Sequence, residues 1–301
     1  MSGKQESIIK LSHVTLPLIS PIIATMLIYA LIIIGETQVP AGPPFQSVNT
    51  SSAGLYNVAV VIIIMVIATY IIYRLIKRGS IRAFEALKDI LLGIVIISST
   101  FFYVATYIYG YEIRPLINYP LSPIILTIII SALIIYASIK IENTVVRALA
   151  ISAYSSMAGV IFTIALPAWT LAILLAALPI YDMVMVYRGL LGRIVTELSK
   201  YGEGKYPILR GLILDMDGLG IGVGDLVLYA VLTSLTMLQF LTHGFSLIQS
   251  LTASLLSLIG IMLGLYITFK YILPIKRYAP ALPVPILLGS IPLLYLLTIT
   301  I

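Results

Sequence analysis

The chain has 301 residues, of which 60% are hydrophobic and only 10% charged, with a net charge of +6 and a mean hydropathy of +1.10. A soluble domain carries about 25% charged residues to solvate its surface, so most of this surface faces something other than water. Cysteine is absent, which excludes disulfides, thiolate metal sites and cysteine nucleophiles.

Apolar runs of roughly 20 residues recur from end to end, each long enough to cross about 30 Å of hydrocarbon as a helix. Nine spans are expected, over residues 16–35, 55–75, 90–109, 121–139, 145–166, 168–187, 218–241, 245–269 and 282–301. The first follows Lys4 and Lys10, as a signal peptide would, but it lacks a small-x-small cleavage site and reads as a retained helix. Residues 36–54, with a Pro-Ala-Gly-Pro-Pro run, form an exposed loop. The longest polar connection is 188–217, and its short apolar stretch at 211–214 suits a strand. Too little chain remains between the runs for a separate soluble domain.

The basic residues sit in short connections between apolar runs, which fits membrane orientation rather than nucleic-acid binding. With the N-terminus in the cytoplasm, every one of the 18 Lys and Arg residues except Arg114 falls on the inside. That asymmetry favours nine spans with the C-terminus outside, since adding or dropping a span midway would scramble the alternation. The expected class is therefore an all-α, multi-pass protein of the cell membrane.

Most acidic residues lie in loops, but Asp182 falls inside the sixth span and Asp225 inside the seventh. An aspartate at mid-helix costs on the order of 2.5–3.5 kcal/mol on insertion scales, so it is seldom placed there without a role. Asp182 lies shortly before Arg188 and Asp225 shortly after Gly218, which puts both about 9–11 Å below the same face. Consecutive spans are usually spatial neighbours, so the two carboxylates can meet. Gly218, Gly220, Gly222 and Gly224 would let backbones approach closely and leave room beside Asp225, and Pro179 would loosen the sixth helix. A polar, water-accessible cavity on the cytoplasmic side follows from this reading.

Two carboxylates within hydrogen-bond reach cannot both ionise easily and so share a proton. Such a pair hydrolyses peptides without metal or cofactor: the ionised member takes a proton from attacking water, and the protonated member donates to the carbonyl oxygen. Which aspartate is base and which acid stays open.

Tyr181 with Asp182, the string Gly222, Val223, Gly224, Asp225, and Pro280, Ala281 and Leu282 opening the last span resemble the three motifs of the presenilin and signal peptide peptidase family. Each string alone is weak, but three in order on the corresponding spans form a specific pattern. Pro283 after the Pro-Ala-Leu string and the cytoplasmic N-terminus are closer to presenilin, of the archaeal type. The resemblance implies a nine-span GxGD aspartyl protease with Asp182 and Asp225 catalytic. Tyr181, Gly222, Gly224, Pro280, Ala281 and Leu282 would then support the site. It also implies that a strand before the seventh span, through Leu212 and Leu214, holds an unwound substrate extended. Residues 1–166 would be scaffold helices, 167–241 the catalytic helices with the loop 188–217, and 242–301 the last two spans with the Pro-Ala-Leu motif, all one polytopic membrane domain over 1–301. The partners implied are transmembrane-helix substrates and the bilayer. No nucleic acid and no obligate accessory subunit are expected, and homo-oligomers stay open. The loop after the sixth span lacks a hydrophobic plug for self-cleavage, so an uncleaved chain is expected. Val223 stands where Leu is commoner.

Other readings use the same residues differently. Asp182 and Asp225 are also consistent with a packing pair, with the relay of a proton-coupled transporter, or with a prepilin-peptidase-like enzyme. Asp215 and Asp217 resemble a metal-binding DxD but read as a cap for the seventh helix. His243 and Ser246 share one loop without a rhomboid-like motif. His13 and His243 lack metal-ligand spacing, and no HExxH string is present.

Overall fold

Backbone groups in hydrocarbon find no water, so runs this apolar close their hydrogen bonds within helices. The computed structural model describes residues 11–39, 42–187, 209–216, 219–273 and 280–300. In chain order it shows α1 (Leu11–Ile34), α2 (Ser51–Lys77), α3 (Ile81–Gly110), the single turn α4 (Arg114–Ile117), α5 (Ser122–Ile139), α6 (Thr144–Ala165) and α7 (Ala168–Tyr187). These are followed by β1 (Ile213–Met216), β2 (Leu219–Gly222), α8 (Val223–Thr242) and α9 (Leu247–Ile267), which runs on into a π turn (Thr268–Ile272). Two short helices, α10 (Pro283–Gly289) and α11 (Ile291–Thr300), complete the chain. Eight of the described helical segments are long and apolar enough to cross a membrane. The chain is a multi-pass membrane protein.

Of the nine expected spans, the last differs most: 282–301 is two helices that meet at Ser290. Pro292 has no N–H to offer Leu288, which breaks the ladder there. The seventh expected span also starts later, because 219–222 is strand and the helix begins only at Val223.

Burial sorts the helices. In α8, 72% of the spanning stretch is buried, against 11% in α2, so α8 is the axis of the bundle. It packs against α1, α6 and α9, while α2 lies on α7, and α5 lies on α3 and α6. Apolar packing offers little driving force between helices already in lipid, so close approach and hydroxyl contacts carry the association. Ser20 of α1 donates to the Leu226 carbonyl of α8 (3.0 Å), Thr163 of α6 meets Ser234 of α8 (2.7 Å), and Ser254 of α9 donates to the Thr233 carbonyl (3.0 Å). The close helix approach uses Gly159 of α6, where a methyl group would press on Ala230 and Val227 of α8.

α10 rests directly on α9. A methyl group on Gly264 would collide with the Pro285 backbone, and one on Gly260 with the Leu288 carbonyl. These two glycines therefore set the position of α10 and of the Pro280, Ala281 and Leu282 turn before it. Gly264→Val is expected to cost about 1–3 kcal/mol through overpacking. The measurement is a lowered thermal midpoint in detergent, with Gly93→Val, at a site with open space around it, as the comparison.

Candidate active site

Asp182 lies on the last turns of α7, half-buried, three residues after Pro179. Asp225 lies in the first turn of α8, also half-buried. The two carboxylates are close enough to interact electrostatically. Among the described residues, each is held by backbone amides rather than by basic side chains. Leu282 N–H donates to Asp182 Oδ2 (3.3 Å), and Ala281 N–H donates to the same carboxylate. The Gly222 N–H donates to Asp225.

The last contact follows from helix-end chemistry. Gly222 is the N-cap of α8 with extended backbone (φ −68°, ψ 145°) and has no side chain to cap the first turn. Asp225, three positions on, reaches back to the N-cap amide, which is one half of a capping box. The carboxylate is thereby fixed by its own helix. A methyl group on Gly222 would stand 3.5 Å from Asp225 Oδ2, an ordinary contact, and one on Gly224 would meet open space. These glycines lie on a strand and an open first turn, not on a helix–helix seam as their number suggested.

β1 and β2 pair antiparallel with Ile213 opposite Gly222 and Met216 opposite Leu219. Val223 N–H donates to the Leu212 carbonyl (2.9 Å), which extends the same register. Because ladder bonds alternate, Leu214 and Met216 bond inward to β2, whereas Ile213 and Asp215 point to the outer edge of β1. On β2 the outward groups belong to Gly220 and Gly222. The backbones of Leu212 and Leu214 are thus engaged with β2, and Leu214 is fully buried. The expected strand at 211–214 is displaced to Ile213–Met216.

Side chains from α3 and α6 hold the other side of this segment. Lys88 donates to the Arg210 carbonyl (3.2 Å), Tyr154 to the Gly211 carbonyl, and Arg147 to the Asp215 carbonyl (3.4 Å). Sequence reading missed all three. In the sequence Lys88 and Arg147 mark only orientation charge, and a tyrosine inside a span carries no mark of its partner. Asp215 is a strand residue rather than a helix cap, while Asp217 lies outside the described residues.

The remaining sequence candidates fall as follows. Pro280 and Leu282 are buried and Ala281 half-buried beside Asp182. The Tyr181 hydroxyl lies 3.5 Å from Thr69 Oγ1, joining α7 to α2. Ser246 caps α9 in a full capping box with Gln249, and His243 Nδ1 meets the Gln239 carbonyl (2.8 Å) at the end of α8. Both therefore serve helix ends. A cavity of about 580 Å³ also opens there, lined by Gln38, Thr163, Gln239 and His243, at the opposite end of α8 from Asp225. Among the described residues, no three His, Asp or Glu side chains come together.

Comparisons with known proteins bear on this arrangement. No family model matches the chain. Presenilin-B of Dictyostelium discoideum is 33% identical over 129 residues, 41% of this chain. The match spans only 25% of that protein's length. A solved structure of a presenilin family intramembrane aspartate protease superposes with a TM-score of 0.61 at 16% identity, covering 96% of this chain and 98% of that one. The chain resembles presenilin in sequence and has a presenilin-like fold.

Within this presenilin-like fold, the hairpin is a separate, testable unit. Tyr154→Phe removes one buried donor to the Gly211 carbonyl and is expected to cost about 1–3 kcal/mol, the cost of an unsatisfied buried acceptor. Hydrogen exchange followed by mass spectrometry should show faster exchange across 211–216, with the α8 core unchanged.

Proposed function

We propose that the chain is an intramembrane aspartyl protease that hydrolyses peptide bonds within transmembrane helices of other membrane proteins. The observation that carries this reading is that Asp182 and Asp225 lie within electrostatic range of each other, with the amides of Ala281 and Leu282 on Asp182. The presenilin-like fold and the partial likeness to Presenilin-B support it. In the reaction, one carboxylate takes a proton from water as the water attacks the scissile carbonyl. Its protonated partner donates to the carbonyl oxygen, and the pair then returns a proton to the leaving amine. The amides that hold each carboxylate fix its orientation, so geometry is set before substrate arrives.

In this reading the chain crosses the membrane nine times, α10 and α11 forming the last crossing, with the N-terminus inside and the C-terminus outside. Residues 167–241 carry the aspartates and 242–301 the turn that orients Asp182, on scaffold helices within 1–166. Tyr181, through Thr69, and Pro280, through its buried place before Ala281, support the site from either side. The enzyme works as an uncleaved chain without accessory subunits.

A helical peptide bond is shielded by its own ladder, so a substrate must be unwound before attack. The outer edge of β2 suits an added strand, because the backbone groups of Gly220 and the carbonyl of Gly222 point outward there, and the Gly222 N–H, held by Asp225, places that edge beside the carboxylate. On β1, Arg147 already holds the outward Asp215 carbonyl, and Lys88 and Tyr154 hold the Arg210 and Gly211 carbonyls just before the strand. Substrate pairing is therefore assigned to β2, with Leu212 and Leu214 acting indirectly by holding β2 in place.

Cleavage of a single-span model substrate by purified protein, followed by product mass, tests the reading. Asp182→Ala and Asp225→Ala, each with a wild-type thermal midpoint, are expected to lower turnover by about 10²–10⁴-fold or more. Equal cleavage by all three proteins, or none by the wild type across a panel of substrates, would sink it. Gly220→Pro removes one outward N–H and leaves the β1–β2 ladder intact. It is expected to lower kcat/KM about threefold to tenfold, the worth of one net hydrogen bond; unchanged turnover would remove the strand from the account.

A further inference from the structure

Asp182 is fixed by the turn before α10, and Asp225 by the first turn of α8. Something must hold that turn at a set distance from α8. Tyr229 is the side chain that does so. It lies on α8 four residues after Asp225, hence on the same helix face one turn deeper, and is fully buried. Its hydroxyl donates to the Ala281 carbonyl (2.7 Å). The amide of Ala281 and that of Leu282 both donate to Asp182. Both carboxylates lie within electrostatic range of the Tyr229 hydroxyl.

These contacts form a closed chain: Asp225, one turn of α8, Tyr229, the Ala281 carbonyl, the two amides, Asp182. We propose that Tyr229 is a positioning residue for the aspartate pair, setting the spacing of the carboxylates by tying the Ala281 turn to the helix that carries Asp225. A hydroxyl-to-carbonyl bond suits the task, since it is directional and adds no charge beside the dyad. The deep burial of α8 gives it a rigid base. α7, by contrast, is one-third buried and carries Pro179, which has no N–H for the helix ladder, so without the tied turn Asp182 has less to hold it. This inference rests on the protease reading.

Tyr229→Phe removes the hydroxyl and little else. Misplacing a reacting group by about 1 Å costs up to 10²-fold, so kcat is expected to fall about 10–100-fold while KM stays within about twofold. The comparison is Tyr103→Phe, which removes another buried hydroxyl-to-carbonyl bond, to Met157 between α3 and α6. Both variants should lose similar thermal stability, but Tyr103→Phe should keep wild-type kcat. If Tyr229→Phe does not keep its fold, Tyr229→Met fills the space with a flexible apolar chain and is read the same way. An active wild type with equally active Tyr229 variants overturns the positioning role alone. So does a kcat loss matched by Tyr103→Phe, which would mark a stability effect. A folded wild type that cuts no substrate overturns the protease reading, and this inference with it.

Discussion

Two carboxylates held within electrostatic range of each other from α7 and α8 are the constraint on which the rest of this structure depends. Each is expensive to bury, and neither has a basic partner described beside it, so backbone amides must stand in. Asp225 finds its amide within its own helix end, at Gly222. Asp182 cannot, because it sits near the last turn of α7, where the free groups are carbonyls. Its amides come from Ala281 and Leu282, a hundred residues away in sequence. The fold of the C-terminal part is therefore a requirement of Asp182.

That requirement explains how the small residues are distributed. Gly159 lets α6 close on α8, and Gly260 and Gly264 let α10 close on α9. The hydroxyls of Ser20, Thr163 and Ser254 bind α1, α6 and α9 to α8. The result is a tight centre that fixes Asp225 and a less buried α2 and α7 flank that carries Asp182. The turn at Ala281, bonded to Tyr229 of α8 and to Asp182, ties this flank to the buried centre.

Much of this could be read from residues alone. Hydropathy marked the membrane class, and the two in-span aspartates stood out because charge inside an apolar run is costly. Their neighbourhood with Pro280, Ala281 and Leu282 came from motif resemblance. The hairpin was half missed for a clear reason. The run Gly218, Leu219, Gly220, Ile221, Gly222, Val223, Gly224 alternates strictly with period two, which is a strand pattern. Its continuity with an apolar span makes it read as helix. Tyr229, Tyr154 and Arg147 were illegible, since their partners are backbone carbonyls whose positions only the folded chain reveals. The break at Ser290 was legible in Pro292, but the apolar run hid it.

Because the chain contains no cysteine, the meeting of the two carboxylates can be measured directly. Asp182→Cys and Asp225→Cys would be combined, and the folded protein treated with a short bifunctional thiol reagent and weighed. A control pairs Asp182→Cys with Ser246→Cys, beyond the far end of α8 and about 30 Å away along the helix. The expected result is one bridging reagent on the 182/225 pair and two separate adducts on the control. Two separate adducts on both pairs would contradict the dyad, and the protease reading would lose its chemical basis.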